Sequence, residues 1–188
     1  MTAPSKETRL ELGDVVLRFP SEADIPFIFA ATRVKGFNDG MGWDPPTTIT
    51  ELHHALERNI KAWEAGEGFT FTIASKKNKD FLGRISIRKT DRKKVWDIGF
   101  FTHPDHQCKG IMKIAVKCIL QFGFEYLNAI RIEADYAIWN EASRKVMEAN
   151  GMKFVKSIER GLFKYGEWIA EIKVGITLEE WKRGDFKS

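Results

Sequence analysis

The sequence contains 188 residues, of which 43% are hydrophobic and 30% are charged. This composition is typical of a folded globular chain and excludes a disordered one. At roughly 150 residues per domain, the length predicts one domain over 1–188, with the mostly polar residues 1–12 flexible. Lys and Arg number 30 and Asp and Glu number 26, so the net charge of +4 is too small to indicate direct nucleic-acid binding.

Cysteine spacing and hydropathy indicate a reducing compartment and no metal centre. Cys108 and Cys118 lie ten residues apart in a segment that we predict to be one helix, too far apart for a disulfide. Too few Cys and His residues fall at ligand spacing for a zinc site. No apolar run approaches the roughly 18 residues of a membrane-spanning helix, and the first residues lack the apolar core of a leader. We therefore expect a cytoplasmic protein without membrane contact.

Hydrophobic periodicity predicts two helices and four strands in the first half of the chain. Alternation over 15–19 indicates a strand that ends at Pro20, and Ser21 is a good N-cap for a first helix. A loop rich in Gly and Pro follows over 36–46, and Thr50 is the expected N-cap of a second helix. The period then changes to two, and short charged connections favour an antiparallel meander. Its three predicted strands lie at 69–73, 81–87 and 95–101.

The second half of the chain predicts alternating helices and strands. A long helix is expected over roughly 110–126, and Gly151 is placed to end a shorter helix over 140–150. Thr177 begins a short amphipathic helix. The predicted strands lie at 130–136, 154–158 and 168–176. This order predicts a mixed α/β sheet with helices packed on its faces.

A candidate anion site lies where the strand over 95–101 gives way to the long helix. Pro104 and the polar residues after it interrupt the strand, and Gly110 precedes the helix. First-turn helix amides lack intrahelical partners and carry roughly half a positive charge, so they attract phosphate. Gly110 would let the backbone approach a bulky anion, and Lys109 would add charge. The other interpretation is a plain helix start, and neither GxxxxGK[ST] nor GxGxxG is present.

The segment HPDHQCKGIM, residues 103–112, resembles the [QR]-x-x-G-x-[GA] motif of the GNAT superfamily of acetyl-CoA-dependent N-acetyltransferases. Gln107, Gly110 and Met112 occupy the three motif positions. Two residues depart from the common pattern. Met112 stands where Gly or Ala is usual, and Cys108 replaces the common Gly that follows the glutamine.

Two further segments resemble the Rim-type branch of that superfamily, which acetylates ribosomal proteins. One follows the pattern N-x-[AR]-S-x-x-[VL]-x-E-x-x-G-[FM], beginning at Asn140 and ending at Met152. The other is Trp43-Asp44-Pro45-Pro46, ahead of the second predicted helix. Together the resemblances cover the chain from about residue 14 to residue 176.

The resemblance implies a GNAT-like α/β (α+β) fold in one acetyltransferase domain, with a mixed, mostly antiparallel sheet of about seven strands and helices on both faces. It implies acetyl-CoA as co-substrate and no metal. The pyrophosphate would bind the amides that begin the long helix, and the pantetheine arm would extend the sheet beside the preceding strand. The implied cofactor-binding residues are Phe100, Phe101, Thr102, Gln107, Cys108, Lys109, Gly110, Ile111, Met112 and Asn140.

Asp97 and Ser143 are the candidate catalytic residues. The resemblance aligns Asp97 with an acidic position that often acts as a general base through water, but a solvent-facing polar strand residue is an equal alternative. Ser143 matches a serine near the departing sulfur in the Rim-type branch, and the alternative is a surface serine. Asn140 is an expected helix N-cap as well as an implied coenzyme contact. The aromatic residues of loop 36–46 either cap the core or line the acceptor cleft.

The implied reaction is acetyl transfer to a primary amine by direct attack in a ternary complex, because no Ser or Cys is arranged with a base as a covalent nucleophile. A peptide α-amine, with a pKa of about 7.7–8, needs less help from a base than lysine does. The expected partner is therefore a protein or peptide N-terminus. Two alternatives stay open: a small-molecule amine acceptor, and a non-catalytic coenzyme A-binding or RNA-associated module with basic hairpins over 76–94. The sequence is compatible with a monomer or a homodimer.

Overall fold

One sheet and five α-helices make up the computed structural model, which describes residues 3–184. The strands are β1 Leu10–Leu12, β2 Val15–Arg18, β3 Gly68–Ser75, β4 Phe81–Lys89, β5 Val95–Thr102, β6 Arg131–Ala137, β7 Lys153–Lys164 and β8 Glu167–Thr177. The helices are α1 Ile25–Thr32, α2 Ile49–Glu64, α3 Ile111–Gln121, α4 Glu141–Glu148 and α5 Leu178–Arg183, with a π-helical turn at Phe122–Tyr126. Across the sheet the strand order is β1-β2-β3-β4-β5-β6-β8-β7.

The sheet is mixed and mostly antiparallel, as predicted, because only β5 and β6 among the described neighbours run parallel. Pairing between β5 and β6 covers three positions and ends where Asp97 lies opposite Glu133. Beyond that point β5 pairs with β4 as far as Thr102, while β6 pairs with β8 as far as Ala137. The two strands therefore diverge and leave a gap in the sheet.

Helices cover both faces of the sheet, and each face has its own apolar core. Neighbouring residues of a strand point to opposite faces. Phe100 packs against the larger core, which includes Ile119 of α3. Phe101 belongs to the smaller core, which includes Leu56 of α2. Asp97, four residues before Phe101, shares the face that α1 and α2 cover in part.

Helix boundaries follow local capping chemistry and correct two predictions. The N-cap of α2 is Thr48 and not Thr50, because Thr48 and Glu51 form a reciprocal capping box. The long helix predicted over 110–126 is α-helical only through α3 and ends in the π-helical turn. Gly151 ends α4 as predicted: its φ of +77° lies in the left-handed region, where glycine is favoured.

The N-terminal segment and Cys108 also differ from the sequence predictions. Leu10–Leu12, within the stretch expected to be flexible, pair with β2 and raise the strand number to eight. The Trp63 indole Nε1 donates a hydrogen bond of 2.8 Å to the carbonyl oxygen of Pro4, which anchors the chain further upstream. Cys108 lies in the loop before α3 with a φ of +59°, a conformation that no α-helix uses, whereas Cys118 lies within the helix. Both thiols are free.

Candidate active site

A cleft of about 1110 Å³ lies where β5 and β6 diverge. Its walls come from the end of β5, the loop before α3, the first turn of α4 and the loop over 36–46. All the predicted site residues line this cleft: Asp97, Phe100, Phe101, Thr102, Gln107, Cys108, Lys109, Gly110, Ile111, Met112, Asn140 and Ser143. The structure therefore brings them together, and their individual roles stay predictions.

The open edge of β5 is the first chemical feature of the cleft. Residues after Asp97 have β4 on one side, but β6 has turned away on the other side. Every second backbone amide and carbonyl over the end of β5 therefore lacks a ladder partner from β6. Such an edge accepts an extended, amide-bearing ligand in the manner of an added strand.

The N-terminus of α3 is the second feature. Gly110 is the N-cap residue with a φ of +73°, and no described side chain caps the helix. The first amides of α3 are therefore free to bind an anion, with support from the helix dipole. The Lys109 ammonium donates a 2.9 Å hydrogen bond to the carbonyl oxygen of Asp105, so its charge lies within this loop.

Helix α4 forms the opposite wall of the cleft. The Asn140 side-chain Oδ1 accepts a 3.1 Å hydrogen bond from the Ser143 amide, which confirms the predicted N-cap. Sequence reasoning gave no role to Asn150, which is buried. Its Nδ2 donates to the carbonyl oxygens of Lys113, at 3.2 Å, and Val146, at 2.8 Å. Asn150 thereby fixes α4 against the first turn of α3.

Asp97 lies at the last paired position of β5, where the gap begins. Arg88 Nη2 donates a 2.8 Å hydrogen bond to its Oδ1, and the Asp97 side chain is 25% exposed. Burial raises the pKa of Asp97 more than Arg88 lowers it, and the nearby charge of Asp135 raises it further. A carboxylate with a raised pKa beside an open gap has the properties that a general base needs.

Two acidic residues that sequence reasoning missed line the same cleft, Asp135 of β6 and Glu171 of β8. Lys173 Nζ donates a 2.7 Å hydrogen bond to Asp135 Oδ2, whereas the buried Asp135 Oδ1 has no hydrogen-bond partner among residues 3–184. Burial raises the pKa of Glu171, and the charges of Asp135 and Asp97 add to that effect. The sequence placed Asp135 within the predicted strand 130–136 but did not single it out, because the pairing of β6 with β8 is not a local property.

The aromatic residues of loop 36–46 satisfy both interpretations that the sequence left open. Phe37 packs edge-on against Phe101 with 5.4 Å between ring centroids, and Trp43 lies 6.2 Å from the same ring. Met41 packs against the smaller core. All three loop residues also line the cleft.

The tip of the β7–β8 hairpin holds this loop in place. The Lys164 ammonium, with a side chain only 2% exposed, donates to the carbonyl oxygen of Trp43 at 2.8 Å and to Asp44 Oδ1 at 2.7 Å. The adjacent Tyr165 hydroxyl donates to Asp39 Oδ1 at 2.8 Å. The sequence gave no indication of this contact, since a lysine at a hairpin tip is ordinarily a solvated charge.

Residues 3–184 contain no group of three or more His, Cys, Asp or Glu residues that could hold a metal ion. No helix among these residues is long and apolar enough to cross a membrane.

The sheet with one diverging parallel pair, and the cleft at that divergence, are the features of a GNAT-type fold. The chain belongs to this family, since residues 14–153 match the family described as Acetyltransferase (GNAT) domain.

Two proteins of Bacillus subtilis (strain 168) are similar in sequence. "Uncharacterized N-acetyltransferase YnaD" is 30% identical over 111 residues, 59% of this chain and 65% of that protein. "Probable N-acetyltransferase YjcK" is 30% identical over 105 residues, 55% of this chain and 54% of that protein. The chain thus spans less than two thirds of the length of either relative.

Solved structures of Rim-type enzymes share the fold. RimL, a ribosomal L7/L12 alpha-N-protein acetyltransferase in complex with coenzyme A, has a TM-score of 0.83 at 16% identity and covers 92% of this chain and 99% of its own. The ribosomal-protein-S5-alanine acetyltransferase from Vibrio fischeri has a TM-score of 0.78 at 22% identity, with 93% and 98% covered. The predicted GNAT fold and the Rim-type resemblance are confirmed at the level of the fold.

Proposed function

We propose that the protein is an N-acetyltransferase that moves the acetyl group of acetyl-CoA to a primary amine. One observation carries this proposal: the open edge of β5 and the uncapped N-terminus of α3 meet in one cleft. We also propose that 1–188 acts as one acetyltransferase domain, in the cytoplasm.

The residues of the cleft fit coenzyme A at two places. Open amides at the start of α3 suit the pyrophosphate, and the space around Gly110 is open, since a Cβ built there would meet no other atom within 4 Å. The free edge of β5 at Phe100, Phe101 and Thr102 suits the amide groups of the pantetheine arm. When bound, acetyl-CoA supplies the thioester that is the acyl donor.

The chain's own groups then have distinct tasks as the amine nitrogen bonds to the thioester carbon and the carbon–sulfur bond breaks. A backbone N–H of Phe100 or Phe101 donates to the carbonyl oxygen as negative charge develops on it. Asp97 accepts the amine proton through a water molecule. The Ser143 hydroxyl donates a hydrogen bond to the departing thiolate.

A protein or peptide α-amine is the acceptor that we propose. Asp97, Asp135 and Glu171 place carboxyl groups along the cleft, which favours the approach of an ammonium group. An α-amine then loses its proton more easily than a lysine, because its pKa is about 7.7–8 and not about 10.4. The protein substrates stated for RimL and for the Vibrio fischeri enzyme support a protein acceptor.

Labelled acetyl-CoA tests the proposal with three acceptor pools: peptides with free α-amines, N-blocked lysine peptides and small-molecule amines. We expect label on the free α-amine peptides, and intersecting initial-rate lines when both substrates are varied, as a ternary complex requires. Label confined to small-molecule amines would overturn the acceptor class. Coenzyme binding by calorimetry with no turnover in any pool would instead indicate a non-catalytic coenzyme A-binding protein.

A further inference from the structure

Arg84 occupies a position in the cleft that the proposed chemistry does not use. Three residues of β4 face the same side as the β5 site residues, because Arg84 pairs with Phe101, Ser86 with Gly99 and Arg88 with Asp97. Directly opposite residues of antiparallel strands have Cα atoms roughly 5 Å apart. Arg84 therefore stands one strand away from the point on β5 where the thioester is to be held.

Within the described part of the chain, the guanidinium of Arg84 has no hydrogen-bond partner. Arg88, four residues further along β4 and on the same face, forms an ion pair with Asp97, with 2.8 Å between Nη2 and Oδ1. Arg84 has no hydrogen bond or ion pair with any of residues 3–184, and its Nε is closed off from solvent without an acceptor. Burial lowers the pKa of Arg84 to about 10. A partly buried cation that lines the cleft, with no hydrogen-bond acceptor for its Nε, calls for a functional explanation.

The negative charge of Asp24 raises the pKa of Arg84, but the Asp24 carboxylate is already hydrogen-bonded to other groups. Arg18 binds both oxygens of Asp24, with distances of 2.6 and 3.1 Å. The Ser21 amide and the Thr72 hydroxyl also donate to Asp24 Oδ2, at 2.9 and 2.7 Å. Arg84 is therefore not explained as the structural counter-ion of Asp24.

We infer that Arg84 binds an acidic side chain of the acceptor, so that the preferred substrate is a peptide with a free α-amine and a carboxylate at its second or third residue. This inference rests on the proposed function. A guanidinium matches a carboxylate in bidentate geometry. A peptide spans at most about 3.5 Å per residue, so an acid at these positions reaches Arg84 when the amine lies beside Phe101. The carboxyl groups of the cleft then face the α-amine, and Arg84 binds the acidic side chain of the peptide. These two contacts fix the direction in which the peptide lies.

Two peptides that differ by one charge test this inference, Ser-Glu-Ala-Ala-Ala-amide and Ser-Gln-Ala-Ala-Ala-amide. We expect the wild-type protein to acetylate the Glu peptide with a kcat/KM at least 10-fold higher, mainly through KM. Arg84→Met should reduce that ratio to about 1, and Arg84→Lys should keep part of it. Arg58→Met, the same substitution at an exposed site on α2 outside the cleft, should keep the wild-type ratio.

A measurement of peptide binding tests this inference independently of the proposed acetyl transfer. Calorimetry of both peptides with the CoA-saturated protein needs no turnover and no variant. Tighter binding of the Glu peptide supports the role of Arg84 even if neither peptide is acetylated, a result that would contradict only the proposed function. Equal affinity of the wild-type protein for the two peptides overturns the inference.

Discussion

Alternation along β5 decides which face of the sheet each residue occupies. Phe100 packs against the larger core, Phe101 belongs to the smaller core on the side that Asp97 shares, and all three residues line the cleft. From sequence alone, a polar residue within a strand is as compatible with a solvated face as with a site. The structure adds what sequence cannot supply, namely the desolvation that raises the pKa of Asp97 and the end of its pairing with β6.

Asp97→Asn should lower kcat by roughly 10²-fold, the usual scale for loss of a general base. Coenzyme affinity should change little, since Asp97 is not among the residues proposed to hold coenzyme A. Because the pKa of Asp97 is raised, wild-type activity should be lost on acidification at a higher pH than it would be with an ordinary aspartate as the base. The loss in Asp97→Asn should shrink as pH rises from 6 to 9.5, since the acceptor amine then arrives neutral. Wild-type turnover of the variant at pH 6.5 would mean that Asp97 is only a polar sheet residue.

Ser143→Ala provides the contrast within the same assay. Loss of the hydrogen bond to the thiolate should slow transfer by a factor that does not depend on pH. The Ser143 backbone amide, which donates to the side-chain Oδ1 of the N-cap residue Asn140, is unchanged by this substitution, so the fold should be kept. A pH rescue like that of Asp97→Asn would assign Ser143 to the proton path instead.

At the scale of elements, the loop into α3 shows how far a motif predicts a site. The residues Gln107, Gly110 and Met112 indicated an anion site, and their helix N-terminus is uncapped as that requires. Sequence did not reveal that Cys108 adopts a φ of +59°. Glycine adopts this conformation more easily than other residues, and glycine is the common residue at this position of the GNAT motif. Nor could sequence reveal that Lys109 bonds to Asp105, because that contact depends on the path of the loop.

Gly110→Glu should abolish coenzyme A binding, because it adds a negative side chain in front of the amides that hold the phosphates. Gly13→Glu is the matched control: Gly13 also has a positive φ, +59°, and open space around its Cβ position, but it lies outside the cleft. Both variants place a non-glycine residue at a positive φ, so both should lose some thermal stability. Calorimetry should show binding in the control only, and wild-type affinity in Gly110→Glu would rule out this phosphate site.

The contact between β7 and loop 36–46 leads to a prediction about the acceptor. Lys164→Met removes the bonds to Trp43 and Asp44 and should loosen the loop that forms the acceptor side of the cleft. We expect a several-fold higher KM for a peptide acceptor with little change in the KM for acetyl-CoA. Lys156→Met, at an exposed position of the same strand, should leave both unchanged. An equal rise in both KM values would show that the contact stabilises the whole cleft and not the acceptor side.

For the whole molecule, most elements were predictable but the assembly of the sheet was not. The meander β3-β4-β5 followed from local alternation and short loops, and the helix starts at Thr177 and Asn140 followed from capping residues. The insertion of β8 between β6 and β7 and the divergence of β5 from β6 are long-range pairings without a local signal. Those two features create the cleft. The motifs, which are local in sequence, could therefore identify residues of the cleft but not its geometry.

The pKa values of two carboxylates, Asp24 in the turn before α1 and Asp97 of β5, are shifted in opposite directions. Burial raises the pKa of Asp24, but hydrogen bonds from Arg18, Ser21 and Thr72 outweigh this and leave the pKa lowered. Asp24 therefore stabilises the folded state above the ordinary aspartate pKa of about 3.9, and that contribution is lost as pH falls below it. Asp97 has a raised pKa, so its ionised form is disfavoured in the folded state at neutral pH.

Asp24→Asn and Asp97→Asn should consequently shift stability in opposite directions at pH 7. Asp24→Asn should lower the free energy of unfolding by about 3 kcal/mol, the low end for breaking a buried pair, because Arg18 is partly exposed. Asp97→Asn should raise the melting temperature at pH 7, and this gain should vanish toward pH 3.5, where Asp97 is protonated in the folded and the unfolded state. Thermal unfolding of both variants from pH 3.5 to 8 provides the measurement. A melting temperature of Asp97→Asn below wild type at pH 7 would mean that the Arg88 ion pair outweighs the desolvation of the carboxylate, and that this carboxylate carries no stability cost at the site.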